Sequence, residues 1–479
     1  MEATMAPPVH TSANTDIKEV KRLYDLQRSN LQNLKNERIA DRVSKIEKLQ
    51  KAVLANREKI EKALYDDFRK PAIHTAFSEI YPVVADCRTY RANLHQWAEP
   101  EEIDVPLVFT GTTAKLVYEP KGHCLILSPW NYPFQIPVRA LISAVAAGNA
   151  VLLKPSEFTP HTAEILKLIL KEVFSENEVA VITGDLSVSQ AVLDMRFDHI
   201  HFTGSPAIGK QIMKKAAETL TSVTLELGGK SPFIIDETAN LQKAARNIVF
   251  SKYMNNGQTC IAADYILVKE EVKDAFVTAL QKEITKSFGA DPKTSSAYCR
   301  MVNAKHHARV AKLMEDAILK GAKIEAGGQT DIAENYIAPT ILTNVTADML
   351  LMQEEIFGPV LPVLGFKTIE EAINLVNAGE KPLALYIFSK RNSAQQYIIN
   401  NTTSGAVCIN DSMIQNSYAG LPFGGVNNSG IGKSYGIWGF KDFSNEKPVV
   451  KAYIPPTDLL TPPYNKMSET LVNAMLRFL

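Results

Sequence analysis

The sequence predicts an α/β protein of two domains, the first built on a doubly wound parallel sheet, and three observations carry this. The chain has 479 residues, more than one ordinary core accommodates. From Leu116 onward, short β-rich runs (LVYEP, CLILS, AVLLKPS, VAVITG, HIHFTG, TLELGG) alternate with helical ones (PVRALISAVAAG, the stretch from Thr159 to Phe174, LSVSQAVLDM, AIGKQIMKKAAETL). Such alternation makes parallel crossovers and a sheet covered on both faces. After about Gly229 the pattern restarts with PFIID, YILVK, a helix through AKHHARVAKLMEDAILKG, LALYIFS and GAVCIND, which predicts a second α/β domain.

In chain order, the opening residues mix Pro, Ser, Thr and Asn and read as loose until Thr15, which offers an N-cap for the first helical stretch. Ile39, Val43, Ile46, Leu49 and Val53 recur at steps of three and four, one face of a helix that ends well before Pro71. VPLVFTGTTAKLVYE carries a Gly-centred turn between β-like runs, a hairpin that interrupts the first domain and is free to pair with another segment or subunit. Ligands of doubly wound folds bind beyond the carboxyl ends of the strands, so chemistry is expected in the loops after Leu127, Leu153, Thr203 and Leu227. The final stretch, TPPYNKMSETLVNAMLRFL, sets Met467, Leu471, Met475 and Phe478 at helical spacing; it is too short to span a membrane.

Composition narrows the function. Lys+Arg 52 balance Asp+Glu 52, leaving no overall field to attract nucleic acid. The N-terminus lacks a basic region followed by an apolar core, and no window of about 20 apolar residues follows. These features predict a cytoplasmic protein with no transmembrane segment. Cys87, Cys124, Cys260, Cys299 and Cys408 are odd in number and lack metal-ligand spacing, so reduced thiols and no metal are expected.

The run from Gly204 through Ser205 to Gly209, Lys210 and Gln211 matches a Walker phosphate loop at all but its last position. Gln211 stands where a Ser or Thr must ligate Mg²⁺, which counts against an ATPase. Small residues opening a helix still suit a phosphate or pyrophosphate. The plainer reading of Gly204 and Gly209 is a tight turn and close helix packing. Cys124 and Cys408 lie in apolar runs and read as core, and Cys87 and Cys299 have no site context. Cys260 follows Asn255, Asn256, Gly257, Gln258 and Thr259, a polar approach that a core cysteine does not require. Glu226 ends a strand before two glycines, and Asn131 follows Pro129 and Trp130; alone, each reads as a strand-end charge or a turn former.

Together, LSPWNYP, LKPSE, FTGSPAIG, LELGGKSP, GQTC, EEIFGP and PFGGVNNSG resemble the aldehyde dehydrogenase superfamily in order and spacing, over nearly the whole chain. The short N-terminal region and PFGGVNNSGIGKSYG look most like its compact class three branch, which handles fatty and aromatic aldehydes and commonly forms dimers. The resemblance implies a Rossmann-like cofactor domain (16–104 and 119–227) and a catalytic domain (228–430). It also implies a small β bridging element for oligomerisation (105–118 and 441–455) and a tail (456–479). Larger fatty-aldehyde members carry a membrane anchor in that tail, whereas this chain stops after its amphipathic stretch.

By the same resemblance, Cys260 is the nucleophile, Asn131 and the Cys260 N–H stabilise the oxyanion, and Glu226 activates the water that hydrolyses the thioester. Lys154 and Glu157 meet the adenosine ribose. Trp130, Gly204, Ser205, Gly209, Leu227 and Gly228 belong to the cofactor side, and Glu355 and Phe357 hold the nicotinamide ribose and ring. A carboxylate at the ribose 2′ position favours NAD over NADP, with NADP accepted in the branch. The chemistry itself requires Cys260 to add to the carbonyl before hydride can leave, so the local field must lower the thiol pKa or a base must take its proton. Two alternatives stand beside hydrolytic oxidation: a coenzyme A-acylating enzyme, which commonly lacks the Glu226 carboxylate, and a catalytically silent binding protein of the same fold.

Overall fold

The computed structural model of the protein describes residues 12–454, 457 and 461–478. Readings that fall on residues 1–11, among them most of the loose opening stretch, and the side chain of Phe478 lie outside the described residues.

A six-stranded sheet runs in the order Gly430–Ile431, Ser222–Leu227, His199–Gly204, His123–Leu127, Ala150–Lys154, Val179–Val181. All neighbours are parallel except Gly430–Ile431, which runs antiparallel to Ser222–Leu227. Alternate side chains of each strand enter different cores, as a pleat requires. Cys124, Ile126, Val151 and Leu153 pack under the helices Ile39–Ala55, Tyr81–Ala98, Gln135–Ala147 and Pro160–Val173. Leu125, Leu127, Leu152, Ile200 and Leu225 pack with Val20, Val188 and Ile212 from helices on the other face. Each buried aliphatic side chain stabilises by about 1.5–3 kcal/mol, which is why these strands read as continuous apolar runs. Sequential connection turns from one side of His123–Leu127 to the other, so the crevice of the doubly wound sheet opens where the loop holding Trp130 and Asn131 leaves that strand.

The second sheet has seven strands, in the order Lys323–Ala326, Thr340–Thr343, Val360–Phe366, Tyr265–Lys269, Pro232–Ile235, Ala384–Phe388, Ala406–Ile409. Only the first pair is antiparallel. The four β-like runs expected after Gly229 are all in it. Three further strands escape the periodicity, because Lys323–Ala326 is polar and Val360–Phe366 is interrupted by Pro362 and Gly365. The helix Ala304–Leu319 forms where the apolar spacing puts it.

Three local readings need correction. Asp16, not Thr15, caps the first helix, Ile17–Lys35, by accepting from the Lys18 N–H at 2.7 Å. The Thr15 hydroxyl is instead held by the Thr183 N–H at 2.9 Å, a tertiary tie that removes it from the cap. LVYEP is not part of the parallel sheet: it lies in Thr112–Pro120, the centre of a three-stranded antiparallel sheet with Glu101–Ile103 and Ser444–Ala452. The expected hairpin therefore starts earlier. Leu107–Phe109 is a single turn of 3₁₀ helix following Pro106, which has no N–H to give a ladder.

Near the end of the described chain the helix Lys466–Phe478 forms, with Met467 exposed and Leu471 and Met475 half-buried.

Candidate active site

The chain that ends the helix Leu241–Tyr253 passes through Asn255, Asn256 and Gly257, all at positive φ (54°, 56° and 72°), before reaching Cys260. Asn tolerates this left-handed backbone, and at Gly257 a Cβ would come within 2.3 Å of the Gly358 carbonyl, so only glycine fits. The polar residues before Cys260 are buried rather than an open approach to it, which corrects the sequence reading. They are scaffold. The Asn255 amide donates to the carbonyls of Asn131 (2.8 Å) and Gln258 (3.0 Å), Asn256 donates to Cys299 O (3.1 Å), and Gln258 donates to Arg300 O (3.0 Å) while accepting from Val302 N–H (2.9 Å). Buried polar groups persist when bonded in this way, and the loop is fixed by them.

Burial separates the five thiols where sequence spacing could not. Cys87, Cys124, Cys299 and Cys408 are buried, and Cys260 is half-buried and opens on a cavity of about 1020 Å³. Burial, with the nearby Glu355 and Glu226 carboxylates, pushes the Cys260 thiol up to about 12. Of the two routes to a thiolate, the local field is therefore the wrong one in this state, and a base is needed.

Asn131 is buried, and its Nδ2 donates to Gln258 O at 3.0 Å, which fixes the amide plane beside the cysteine loop. Glu226, at the end of Ser222–Leu227, is 3% exposed; its Oε2 accepts from Thr203 Oγ1 at 3.1 Å, and Oε1 has no hydrogen-bond partner. The loop bearing Asn131 is itself anchored. The Glu79 carboxylate accepts from the Gln135 N–H at 2.8 Å and from Lys70 Nζ at 2.5 Å, and Lys70 sits over the Tyr132 ring at 4.0 Å.

The cavity is lined by Asn131, Glu226 and Cys260 and also by Trp130, Gly204, Ser205, Leu227, Gly228, Glu355 and Phe357. Of the thirteen residues singled out in the sequence, Lys154, Glu157 and Gly209 do not line it. Lys154 is buried and pairs with Glu157 at 3.6 Å; burial, partly offset by that carboxylate, lowers its pKa. Gly209 is a packing residue, since a Cβ there would lie 2.7 Å from Leu227 Cδ2. Ser205 accepts from Ile208 N–H at 3.5 Å and caps the helix Pro206–Ala217, whose first residues face the cavity. At Gly228 a Cβ would meet Glu355 Oε2 at 2.1 Å, so glycine lets that carboxylate close on the backbone. Burial and Asp264 push Glu355 up to about 8.

Several contributors have little or no local signal. Arg309 donates to the carbonyls of Glu355 (3.1 Å) and Ile356 (2.6 Å), Asp264 accepts the Ile356 N–H at 2.8 Å, and Lys230 pairs with Asp264 and donates to Leu351 O at 2.7 Å. These bonds hold Phe357 at φ 45°, a strained value for an aromatic residue, edge-on to Trp130 with centroids 5.3 Å apart. Lys230 stands in the LELGGKSP string, but Asp264 and Arg309 are ordinary charges in sequence. Thr203, His201 and Tyr435 surround Glu226 unannounced.

A helix N-terminus, a glycine that admits a carboxylate and an aromatic pair along one cavity fit a dinucleotide. The comparisons agree. The model of the aldehyde dehydrogenase family matches residues 5–449. Among curated relatives, aldehyde dehydrogenase family 3 member A2 of Rattus norvegicus is 40% identical over 407 residues, 85% of this chain and 83% of that one. The rat enzyme called aldehyde dehydrogenase, dimeric NADP-preferring, is 40% identical over 406 residues, 85% and 88% of the two chains. A structure of Staphylococcus aureus AldH in a substrate-bound state superposes with TM-score 0.92 at 38% identity, covering 95% of this chain and 99% of that one.

The chain belongs to the aldehyde dehydrogenase family and is an oxidoreductase acting on the aldehyde group with NAD(P). Several of its curated relatives are family 3 members, and its architecture is that of the family, with cofactor, catalytic and oligomerisation domains. No helix of the described residues is long and apolar enough to cross a membrane.

Proposed function

We propose that the protein oxidises a medium- or long-chain aliphatic or an aromatic aldehyde to its carboxylic acid, through a thiohemiacetal and then a thioester on Cys260. The observation that carries this reading is the convergence of Cys260, Glu226 and Asn131 on one cavity that Phe77, Phe250, Met413, Ile414 and Phe423 also line. Apolar walls favour an apolar aldehyde. Phe77 and Phe250 stack at 6.0 Å and are partly exposed, as suits the entrance to an apolar channel.

Glu226, whose Oε1 has no hydrogen-bond partner, takes a proton of the hydrolytic water. Asn131 Nδ2 carries two hydrogens; the bond to Gln258 uses one and aims the other, which with the Cys260 N–H receives the developing oxyanion. A bound nicotinamide would supply the hydride acceptor for this oxidation. Trp130, Gly204, Ser205, Leu227 and Gly228 line the cavity it would enter, Glu355 and Phe357 would hold its ribose and ring, and Lys154 and Glu157 would hold the adenosine ribose outside that cavity. Glu157 supports NAD over NADP, with NADP accepted; the name of the dimeric rat relative supports both that tolerance and a homodimer. Cytoplasmic residence and the domain limits 16–104 with 119–227, 228–430, and 105–118 with 441–455 complete the reading; the six-, seven- and three-stranded sheets support the division, with Glu101–Ile103 pairing in the three-stranded sheet and Gly430–Ile431 in the six-stranded one.

Cys260→Ala tests the proposal: aldehyde-dependent NADH formation is lost while the thermal midpoint is kept, and retained turnover refutes it. Glu226→Gln separates the steps. A first burst of NADH with slow later turnover supports Glu226 as the base of hydrolysis, and an unchanged steady state refutes that role.

A further inference from the structure

His201 and Thr203 lie two residues apart on His199–Gly204 and project on the same face, with His199 two residues further back. The neighbouring strand pairs Thr203 with Glu226, His201 with Thr224 and His199 with Ser222. Thr203 binds one Glu226 oxygen. The other, Oε1, faces His201 Nε2 at 3.9 Å. Beyond His201, Asp442 arrives from the helix Gly436–Asp442: its Oδ2 accepts from Thr224 Oγ1 at 2.6 Å and lies 3.6 Å from His199 Nε2. One polar side-chain atom from each of His199, His201 and Asp442 lies within 4.8 Å of the others. His201 is 2% exposed, and its Nδ1 has no hydrogen-bond partner, nor does His199 Nε2. The Phe443 ring stacks on His201 at 5.6 Å and closes the far side. The side chain of Asp442 is 14% exposed, so the column runs from a buried carboxylate to one that meets solvent.

We propose that His201 is the proton outlet of Glu226, handing the proton to Asp442 and leading it away from the catalytic cavity. The proposal rests on Glu226 being the base of thioester hydrolysis. As water adds, its oxygen bonds to the acyl carbon, one of its protons passes to Glu226, and the C–S bond breaks with its electron pair returning to sulfur. Passing that proton on as water adds keeps Glu226 basic while the tetrahedral adduct forms and collapses, so the outlet acts on the decay of the acyl adduct itself. The cavity side of Glu226 is where acyl group and cofactor would sit during this step. Glu226 Oε1 delivers the proton to His201 Nε2, across a gap that one water or a small carboxylate movement spans, and the imidazolium gives up a ring proton to Asp442, whose carboxylate lies within 4.8 Å of a His201 ring nitrogen. No electrons move in the transfer. Burial holds His199 down at about 4, so it stays neutral beside the path and adds no repelling charge.

The test follows the acyl-enzyme itself. His201→Phe keeps a ring against Phe443 and removes both nitrogens; the full-length enzyme is taken through one turnover and the acyl adduct on Cys260 is quenched and weighed by intact-mass spectrometry. Its decay is expected to slow about 10-fold, less than the loss of a general base, with an unchanged NADH burst and partial recovery in imidazole buffer. Asp442→Asn should slow decay in the same direction. Decay within twofold of the parent in folded His201→Phe refutes the outlet. If neither variant folds, a proton inventory of the parent's decay decides: a bowed dependence on deuterium fraction supports the relay and a linear one refutes it. Glu226→Gln keeps the two readings apart. Blocked decay there with parental decay in His201→Phe removes the outlet alone, whereas unaltered decay in Glu226→Gln removes the base on which it rests.

Discussion

The Cys260 thiol gives the sharpest quantitative test. Burial and two carboxylates move it from an ordinary 9.0 to about 12. At any pH below 9 the thiolate fraction is thus about 1000-fold smaller than for an unperturbed cysteine, because each pKa unit is a factor of ten. Iodoacetamide reacts with the thiolate. Alkylation of the cofactor-free protein, followed at the Cys260 peptide by mass spectrometry between pH 7 and 10.5, should rise about tenfold per pH unit without a plateau. Glu226→Gln removes an opposing charge and should speed alkylation modestly. An inflection near pH 7–8 in the parent would show that the field lowers the thiol after all. Slower alkylation in Glu226→Gln would make Glu226 the base that activates the resting thiol.

Three further outcomes are expected. Glu355 rises from 4.5 to about 8, so its folded form holds a proton that the unfolded chain has released; its contribution to stability is complete below pH 4.5 and is lost as pH rises through about 8. Unfolding free energies from urea titrations should fall over that window by at most about 1.4 kcal/mol per pH unit, and Glu355→Gln should flatten the slope; an equal slope in the variant counts against it. Gly228→Ala, whose Cβ would stand 2.1 Å from Glu355 Oε2, should raise KM for NAD with little change in melting temperature, and a parental KM would show that Glu355 can yield. Glu79→Gln leaves Lys70 buried without its counter-charge and should cost about 3–5 kcal/mol in urea unfolding; a loss under 1 kcal/mol would show that the pair does not anchor the Asn131 loop.

Much of the fold was legible because strands buried on both faces and amphipathic helices leave strong local patterns. Ile126 and Leu153 could be recognised as core without knowing their partners, since any helix on that face buries them. LVYEP was misassigned because its β character is local while its partner, Ser444–Ala452, lies hundreds of residues away. Thr15 failed as a cap for a related reason: its hydroxyl had a competitor, Thr183, that spacing does not reveal.

The catalytic candidates divide in the same manner. Motif order singled out Cys260, Glu226 and Asn131, and the cavity gathers them. Neither the sign of the Cys260 pKa shift nor the bonds of Arg309, Asp264 and Lys230 around Phe357 could be read from the string, because electrostatics depends on distance and burial. Asn255, Asn256 and Gln258 looked like an approach to the thiol and proved to be its buried scaffold.

By itself, then, the sequence determined the α/β class, the family and the ordered groups able to do thioester chemistry, since periodicity and motif spacing are properties of the chain. Tertiary structure alone decided which of five thiols opens on a cavity, which charges oppose its ionisation and which imidazole stands behind Glu226. Those facts depend on atoms distant in sequence being a few ångströms apart.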